Sequence, residues 1–133
     1  MNNSNCIFCK IVQCEIPALK VYEDEHFFAF LDIRPLNKGH TLLIPKTHYR
    51  WMWDIPDDYS KSANKIVLAI KHAFETDYVQ ALVVGEEVEH AHLHLIPRFL
   101  EDGHGSVVNP QNIKNFSMQE MKSFTQKIKE NLR

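Results

Sequence analysis

An α+β fold is predicted, with an antiparallel sheet of about five strands, a long central helix and a C-terminal helix. Three observations lead to it. Two segments, one mid-chain and one near the C-terminus, place apolar residues at helical spacing. Short runs rich in aromatic and branched apolar residues are bounded by turn-forming residues. Within each group of such runs the connections are too short for a crossover, so neighbouring strands must pair antiparallel.

Ile7–Val12 reads as a short helix, because Ile7, Phe8, Ile11 and Val12 recur at helical spacing and Pro17 follows soon after. Residues 19–22 and 26–32 read as strands around a tight turn at Glu23-Asp24-Glu25. Residues 40–44 form a third strand, opened by Lys38-Gly39 and closed by Pro45. Ile66, Ile70, Ala73 and Phe74 make the apolar stripe of a helix over residues 56–74, with Asp54 or Asp57 available to cap its start. Residues 79–84 and 89–97 give two more strands, joined by a turn at Gly85-Glu86-Glu87. Beyond Arg98 the chain is rich in turn residues and predicts an irregular loop. Ser117-Met118-Gln119-Glu120 is a capping-box pattern, continued at helical spacing by Met121, Phe124, Ile128 and Leu132.

The 133 residues, 44% hydrophobic and 24% charged, are read as one domain over 1–133, with a motif-bearing core at 6–98 and a C-terminal loop and helix at 99–133. A formal net charge of −2 argues against a broad basic face for nucleic acid. Met1-Asn2-Asn3-Ser4-Asn5 has no basic start followed by an apolar run, and no apolar stretch is long enough to span a bilayer. A cytoplasmic protein with no membrane partner is the expectation. Its 3 cysteines make no disulfide framework, and Cys6-x-x-Cys9 reads as metal or redox chemistry.

The most informative run is His90-Ala91-His92-Leu93-His94. On a strand the three imidazoles would share one face, with ring centres about 6–7 Å apart, while Ala91, Leu93 and Leu95 face the core. Three readings are open. The imidazoles could occupy a polar face without function. They could hold a catalytic zinc that activates water. Or one imidazole could attack phosphorus while its neighbours handle protons and charge.

This run resembles the His-φ-His-φ-His-φ-φ signature of the histidine-triad (HIT) family of nucleotide hydrolases and transferases. Further pieces match upstream, in the family's order: Cys6-Ile-Phe-Cys9-Lys-Ile11, Glu15-Ile-Pro17, Val21-Tyr-Glu-Asp24, Ala29-Phe-Leu-Asp32-Ile33 and Lys38-Gly-His40-Thr-Leu-Leu-Ile-Pro45-Lys-Thr-His48. The resemblance spans Cys6 to Arg98 and implies a HIT-like fold. It implies His92 as the nucleophile, His94 as donor to a phosphate oxygen or leaving group, and His40 as support beside them. Asp32 would accept the ribose hydroxyls, and Phe8, Phe30 and Ile33 would wall the base. Cys6, Cys9, His48 and His90 would hold a structural zinc, and a homodimer is implied. The activity implied is hydrolysis at the α-phosphate of a nucleoside phosphoramidate, an adenylated compound or a dinucleoside polyphosphate. A catalytically weakened nucleotide-binding module and a zinc hydrolase using all three triad histidines are the alternatives.

The chain departs from the family at one place. Where many members have a longer Asn- and Gly-containing loop with a Gly-Gln step, this one runs Gly85-Glu86-Glu87-Val88-Glu89 into the triad. Carboxylates there repel phosphate unless they point away. Trp51-Met52-Trp53 reads as a hydrophobic cover or a partner surface, and Cys14 has no partner in this scheme. His26, His72 and His104 read as surface or turn residues.

Overall fold

The computed structural model describes residues 3–133. Its elements are α1 (Ile7–Val12), β1 (Lys20–Glu23), β2 (Phe27–Leu31), β3 (Thr41–Pro45), a 3₁₀ turn (Met52–Asp54), α2 (Ser60–Phe74), β4 (Val79–Leu82), β5 (Leu93–Pro97) and α3 (Met118–Glu130). The five strands form one sheet in the order β1-β2-β3-β5-β4, antiparallel throughout. The predicted α+β class is the observed one.

Every residue of β2 is buried, because both faces of the sheet are covered. Phe27, Ala29 and Leu31 join Leu43 and Leu95 against Ile66, Ala69, Ile70 and Phe74 of α2 and Met121 and Ile128 of α3. The alternate residues Phe28 and Phe30 join Leu42 and Ile44 against Phe8, Cys9 and Ile11 of α1. Strand periodicity therefore sorts one apolar run into two cores, one beneath the long helices and one beneath α1. His94 pairs with Leu42 of β3 and with Leu82 of β4, which places it in the middle of the sheet.

Three boundaries differ from expectation by two residues or more, the first two because a specific contact competes with the regular element. The last strand begins at Leu93, not at residue 89, so His90 and His92 precede it. The Ala91 N–H donates to Tyr49 O (2.7 Å) and the His90 ring bonds Pro45 O (2.9 Å), drawing this segment toward the chain that leaves β3. The central helix begins at Ser60 rather than at Pro56. Neither Asp54 nor Asp57 caps it; Asp58 takes the Ser60 N–H instead (2.9 Å), and Asp54 closes the 3₁₀ turn by accepting from Trp51 N–H (3.1 Å). The strand predicted at 79–84 ends at Leu82. At the C-terminal helix the capping box forms as read, Ser117 and Glu120 exchanging bonds of 3.1 and 2.9 Å.

Gly39 is required where it stands. Its φ is +81°, and an added Cβ would run into the Phe74 ring at the end of α2. The turn it completes delivers His40 into the interior, where the residue is only 1% exposed.

Candidate active site

Two groups of histidines sit beneath α1, and the free ring nitrogen in each is set by a backbone group holding the other. His92 has Nδ1 2.7 Å from His90 O. A carbonyl only accepts, so Nδ1 carries the proton and Nε2 keeps its lone pair. The His92 ring lies between the edge of Phe8 (5.2 Å between centroids) and His94 (5.1 Å). The last spacing is shorter than the separation expected for a flat strand, because His92 lies just outside β5 and the two rings meet edge to face.

His40 is held from the opposite side. The Leu36 N–H donates to His40 Nδ1 (3.0 Å), so the proton of this imidazole sits on Nε2. That Nε2–H points at His94 Nδ1, 3.0 Å away, and leaves the His94 proton on its own Nε2. Asp32 Oδ2 is 3.6 Å from His40 Nε2, too long to compete for that proton. Asp32 Oδ1 accepts the Arg34 N–H (2.9 Å). Burial raises the Asp32 pKa, countered by the Arg34 N–H and by the nearby His92.

Asp32, His40 and His94 gather three potential metal donors, but a protonated Nε2 on His40 offers no lone pair to an ion. Burial is the main reason the His40 pKa falls from the ordinary 6.5 to about 3, helped by His94 and His104. Burial, with His92 beside it, likewise lowers that of His94 to about 4. Both are therefore neutral at physiological pH.

A second group is formed by Cys6, Cys9, His48 and His90, whose donor atoms all lie within 4.8 Å of one another. His90 Nδ1 is 3.3 Å from Cys6 Sγ, 3.5 Å from Cys9 Sγ and 3.2 Å from His48 Nδ1. Cys9 Sγ is 3.4 Å from His48 Nδ1. A tetrahedral ion bonded at about 2.0–2.1 Å to nitrogen and about 2.3 Å to sulfur would set N···N at about 3.3 Å and N···S at about 3.6 Å. The residues fit a metal ion. His90 Nε2 donates to Pro45 O at 2.9 Å, which turns the lone pair of Nδ1 toward the cysteines.

The structure brings together most of what the sequence predicted. Phe8 and Phe30 are buried edge to face at 5.5 Å, beside His92, whereas Ile33 is 79% exposed. The three triad imidazoles do not share one centre: His90 belongs to the cysteine group and His94 to the His40 group. That speaks against a three-histidine metal site. Cys14 and His72 are exposed. His26 lies near the carboxylates of Glu25 and Asp57, at 3.7 Å from each. Trp51 and Trp53 part company: Trp53 is 72% exposed, while Trp51 stacks under the Arg50 guanidinium at 3.9 Å. Gly85, at φ +73°, lets the acidic loop pass directly over the Trp51 ring.

Sequence reading missed His104. Its Nδ1 accepts the Asn109 N–H (2.9 Å) and its Nε2 donates to Leu36 O (2.8 Å), beside the N–H that orients His40. Its turn setting, Asp102-Gly103-His104-Gly105, hid it. The one available signal was Arg98 four residues before Asp102, a pair that closes as a buried ion pair at 2.8 Å.

The HIT domain matches residues 13–101. The chain belongs to the histidine-triad family. The chain is 46% identical over 124 residues to an uncharacterised HIT-like protein of Methanocaldococcus jannaschii, covering 87% of this chain and 95% of that one. It is 42% identical over 98 residues to an adenosine 5′-monophosphoramidase of Saccharomyces cerevisiae, covering 70% of this chain and 62% of the relative. A zinc-bound histidine-triad protein of Mycobacterium smegmatis superposes with a TM-score of 0.78 at 29% identity, covering 96% of this chain and 92% of that one.

The depressed pKa of His40 fixes the sign of one pH effect. Folded, His40 stays neutral down to about 3; unfolded, it takes a proton below 6.5. The unfolded state therefore binds more protons as pH falls through this window, and stability is lost on acidification. Urea unfolding at a series of pH values is expected to show a shallower acid loss in His40→Gln than in the parent; equal slopes would contradict the buried neutral imidazole.

Proposed function

We propose that this HIT domain hydrolyses a nucleotide at its α-phosphorus, on a nucleoside phosphoramidate, an adenylated compound or a dinucleoside polyphosphate. The observation that supports it most is the His92 ring, whose Nδ1 is tied to His90 O at 2.7 Å, leaving Nε2 with its lone pair. His92 Nε2 attacks phosphorus and forms a P–N bond as the bond to the leaving group breaks. The His94 Nε2–H gives its proton to the departing atom. Water then attacks the nucleotidyl-histidine, returns a proton to His94 Nε2 and releases the nucleoside monophosphate, restoring both rings. His40 holds His94 in the donating tautomer. Asp32 Oδ2, free of short hydrogen bonds, accepts the ribose hydroxyls, with Phe8, Phe30 and Ile33 around the base. The phosphoramidase activity named for the yeast relative favours an amine leaving group.

The Cys6, Cys9, His48 and His90 group suits zinc, with both thiolates and two imidazoles completing a closed tetrahedron. A zinc ion held by these four residues would supply structural cohesion, tying α1 to the segment that carries His92, and with four protein donors would have no position open for water. A histidine-triad structure described as zinc-bound, from Mycobacterium smegmatis, supports this reading.

A homodimer follows the family pattern. Strand β4 stands at the sheet edge, flanked by the exposed Tyr78 and Val84, so its unpaired backbone groups are open to a second copy.

Three measurements test these readings. His92→Ala should lower turnover of an adenosine phosphoramidate by at least about 10³-fold while circular dichroism stays unchanged, and acid-quench mass spectrometry should find the nucleotide adduct only in the parent. Unaltered turnover in the variant would remove His92 as nucleophile; tight nucleotide binding with no adduct and no turnover in the parent would favour a binding module. Cys6→Ser should lose most of the bound zinc by elemental analysis and melt earlier, whereas unchanged metal content would reject the site. Sedimentation equilibrium should give twice the chain mass, and a monomer at micromolar concentration would discount the dimer.

A further inference from the structure

Outside the motif-bearing core, residues 99–116 have no role in the reaction as described, yet they carry an extended polar network. Arg98 and Asp102 are the hub, with side chains only 6% and 5% exposed. Asp102 Oδ2 accepts from Arg98 Nε (2.8 Å), Asn37 Nδ2 (2.9 Å) and Phe99 N–H (3.1 Å). Its Oδ1 accepts the His104 N–H at 3.1 Å. Arg98 Nη2 reaches Gly105 O at 2.6 Å, and Lys114 Nζ reaches Asp102 O at 2.6 Å. A buried ion pair of this kind gives little net stability but strongly restricts geometry when all its partners are satisfied.

The network ends on the turn that delivers His40. Lys114 N–H donates to Pro35 O (2.8 Å), and this is the carbonyl of the same peptide group whose N–H, on Leu36, points at His40 Nδ1. The next peptide is held by its oxygen, Leu36 O, through His104 Nε2 at 2.8 Å. Asn37, the following residue, spans Pro97 O and Asp102. Three consecutive residues of one turn are thus clamped from the loop that follows the triad strand. Among the described residues, the Leu36 N–H is the hydrogen-bond partner of His40 Nδ1, and it dictates which nitrogen holds the proton.

From this geometry we infer that His104 is a positioning residue for the reaction: by pinning Leu36 it sets the tautomer of His40, which in turn keeps the His94 proton on the nitrogen facing the substrate. The chain of donors runs His104 Nε2–H to Leu36 O, Leu36 N–H to His40 Nδ1, and His40 Nε2–H to His94 Nδ1. Without the His104 bond the Leu36 carbonyl loses its anchor. Although Lys114 still holds Pro35 O, the turn loosens at Leu36, its N–H drifts off His40 Nδ1, and His40 can carry its proton on Nδ1 instead. His40 Nε2 would then face His94 as an acceptor and draw the His94 proton inward, away from the leaving group. The inference rests on the reading of His94 as proton donor.

Full-length His104→Phe, His104→Gln and Asn37→Ala test it. Gln keeps an N–H donor at the position of Nε2, Phe keeps the shape alone, and Asn37→Ala loosens the same turn without touching His104. Imidazole ¹⁵N NMR should show a single Nε2–H tautomer for His40 in the parent and in His104→Gln, and mixed tautomers in His104→Phe and Asn37→Ala. In kinetics, His104→Phe should lose about tenfold or more in kcat on an adenosine phosphoramidate, whose amine must leave protonated, with KM little changed. On adenosine 5′-(p-nitrophenyl phosphate), whose leaving group departs as an anion, the loss should stay under about threefold. His104→Gln should restore the amide substrate.

Equal losses on both substrates, or an unaltered His40 tautomer in His104→Phe and Asn37→Ala, would overturn the proposal. Should His104→Phe not fold, the Asn37→Ala tautomer and leaving-group ratio decide it. If the parent turns over neither substrate, the assigned activity fails, and the NMR comparison still answers whether His104 sets the tautomer.

Discussion

Everything chemical in this structure depends on one constraint: an imidazole has two nitrogens and, when neutral, one proton, so a backbone group that claims one nitrogen decides what the other can do. Three main-chain groups make that decision here. The carbonyl of His90 accepts a hydrogen bond from His92 Nδ1–H and leaves Nε2 its lone pair. The carbonyl of Pro45 accepts one from His90 Nε2–H and turns the other nitrogen to the cysteines. The N–H of Leu36 blocks one nitrogen of His40 and sends its proton toward His94. Backbone positions are set by the sheet and its turns, so the fold itself gives chemically identical side chains different free nitrogens.

Burial reinforces this assignment. Charged imidazolium in the interior costs more than neutral imidazole, which keeps His40 and His94 neutral, each with a single ring proton, near neutral pH. The same burial depends on the two-sided sheet. Phe27, Ala29 and Leu31 anchor β2 to the long helices, while Phe28 and Phe30 support α1, whose Phe8 lies edge-on to His92. The cysteine group joins α1 to the triad segment at its other end, so the roof of the site is held by both apolar packing and polar donors.

Much of this was legible in the residues alone. The apolar and aromatic runs of β2 and β3 between turn residues, the capping box at Ser117 and the stripe from Ile66 to Phe74 predict elements that formed, because each depends on near neighbours. The motifs around Cys6, His40, His48 and His90 named residues that the structure gathers into two clusters. The start of the last strand was not legible, since Tyr49 O and Pro45 O compete for Ala91 and His90 from more than forty residues away. Nor was the beginning of α2, where Asp58 diverts the first N–H. His104 gave no pattern, being one histidine in a turn-rich loop.

By itself the sequence determined which residue types were available and which faces they would take, since periodicity and capping are properties of short stretches of chain. Only the tertiary structure decided which nitrogen of each histidine is free. That choice belongs to carbonyls and N–H groups brought to the rings by folding, and a peptide group is the same at every position until the chain places it.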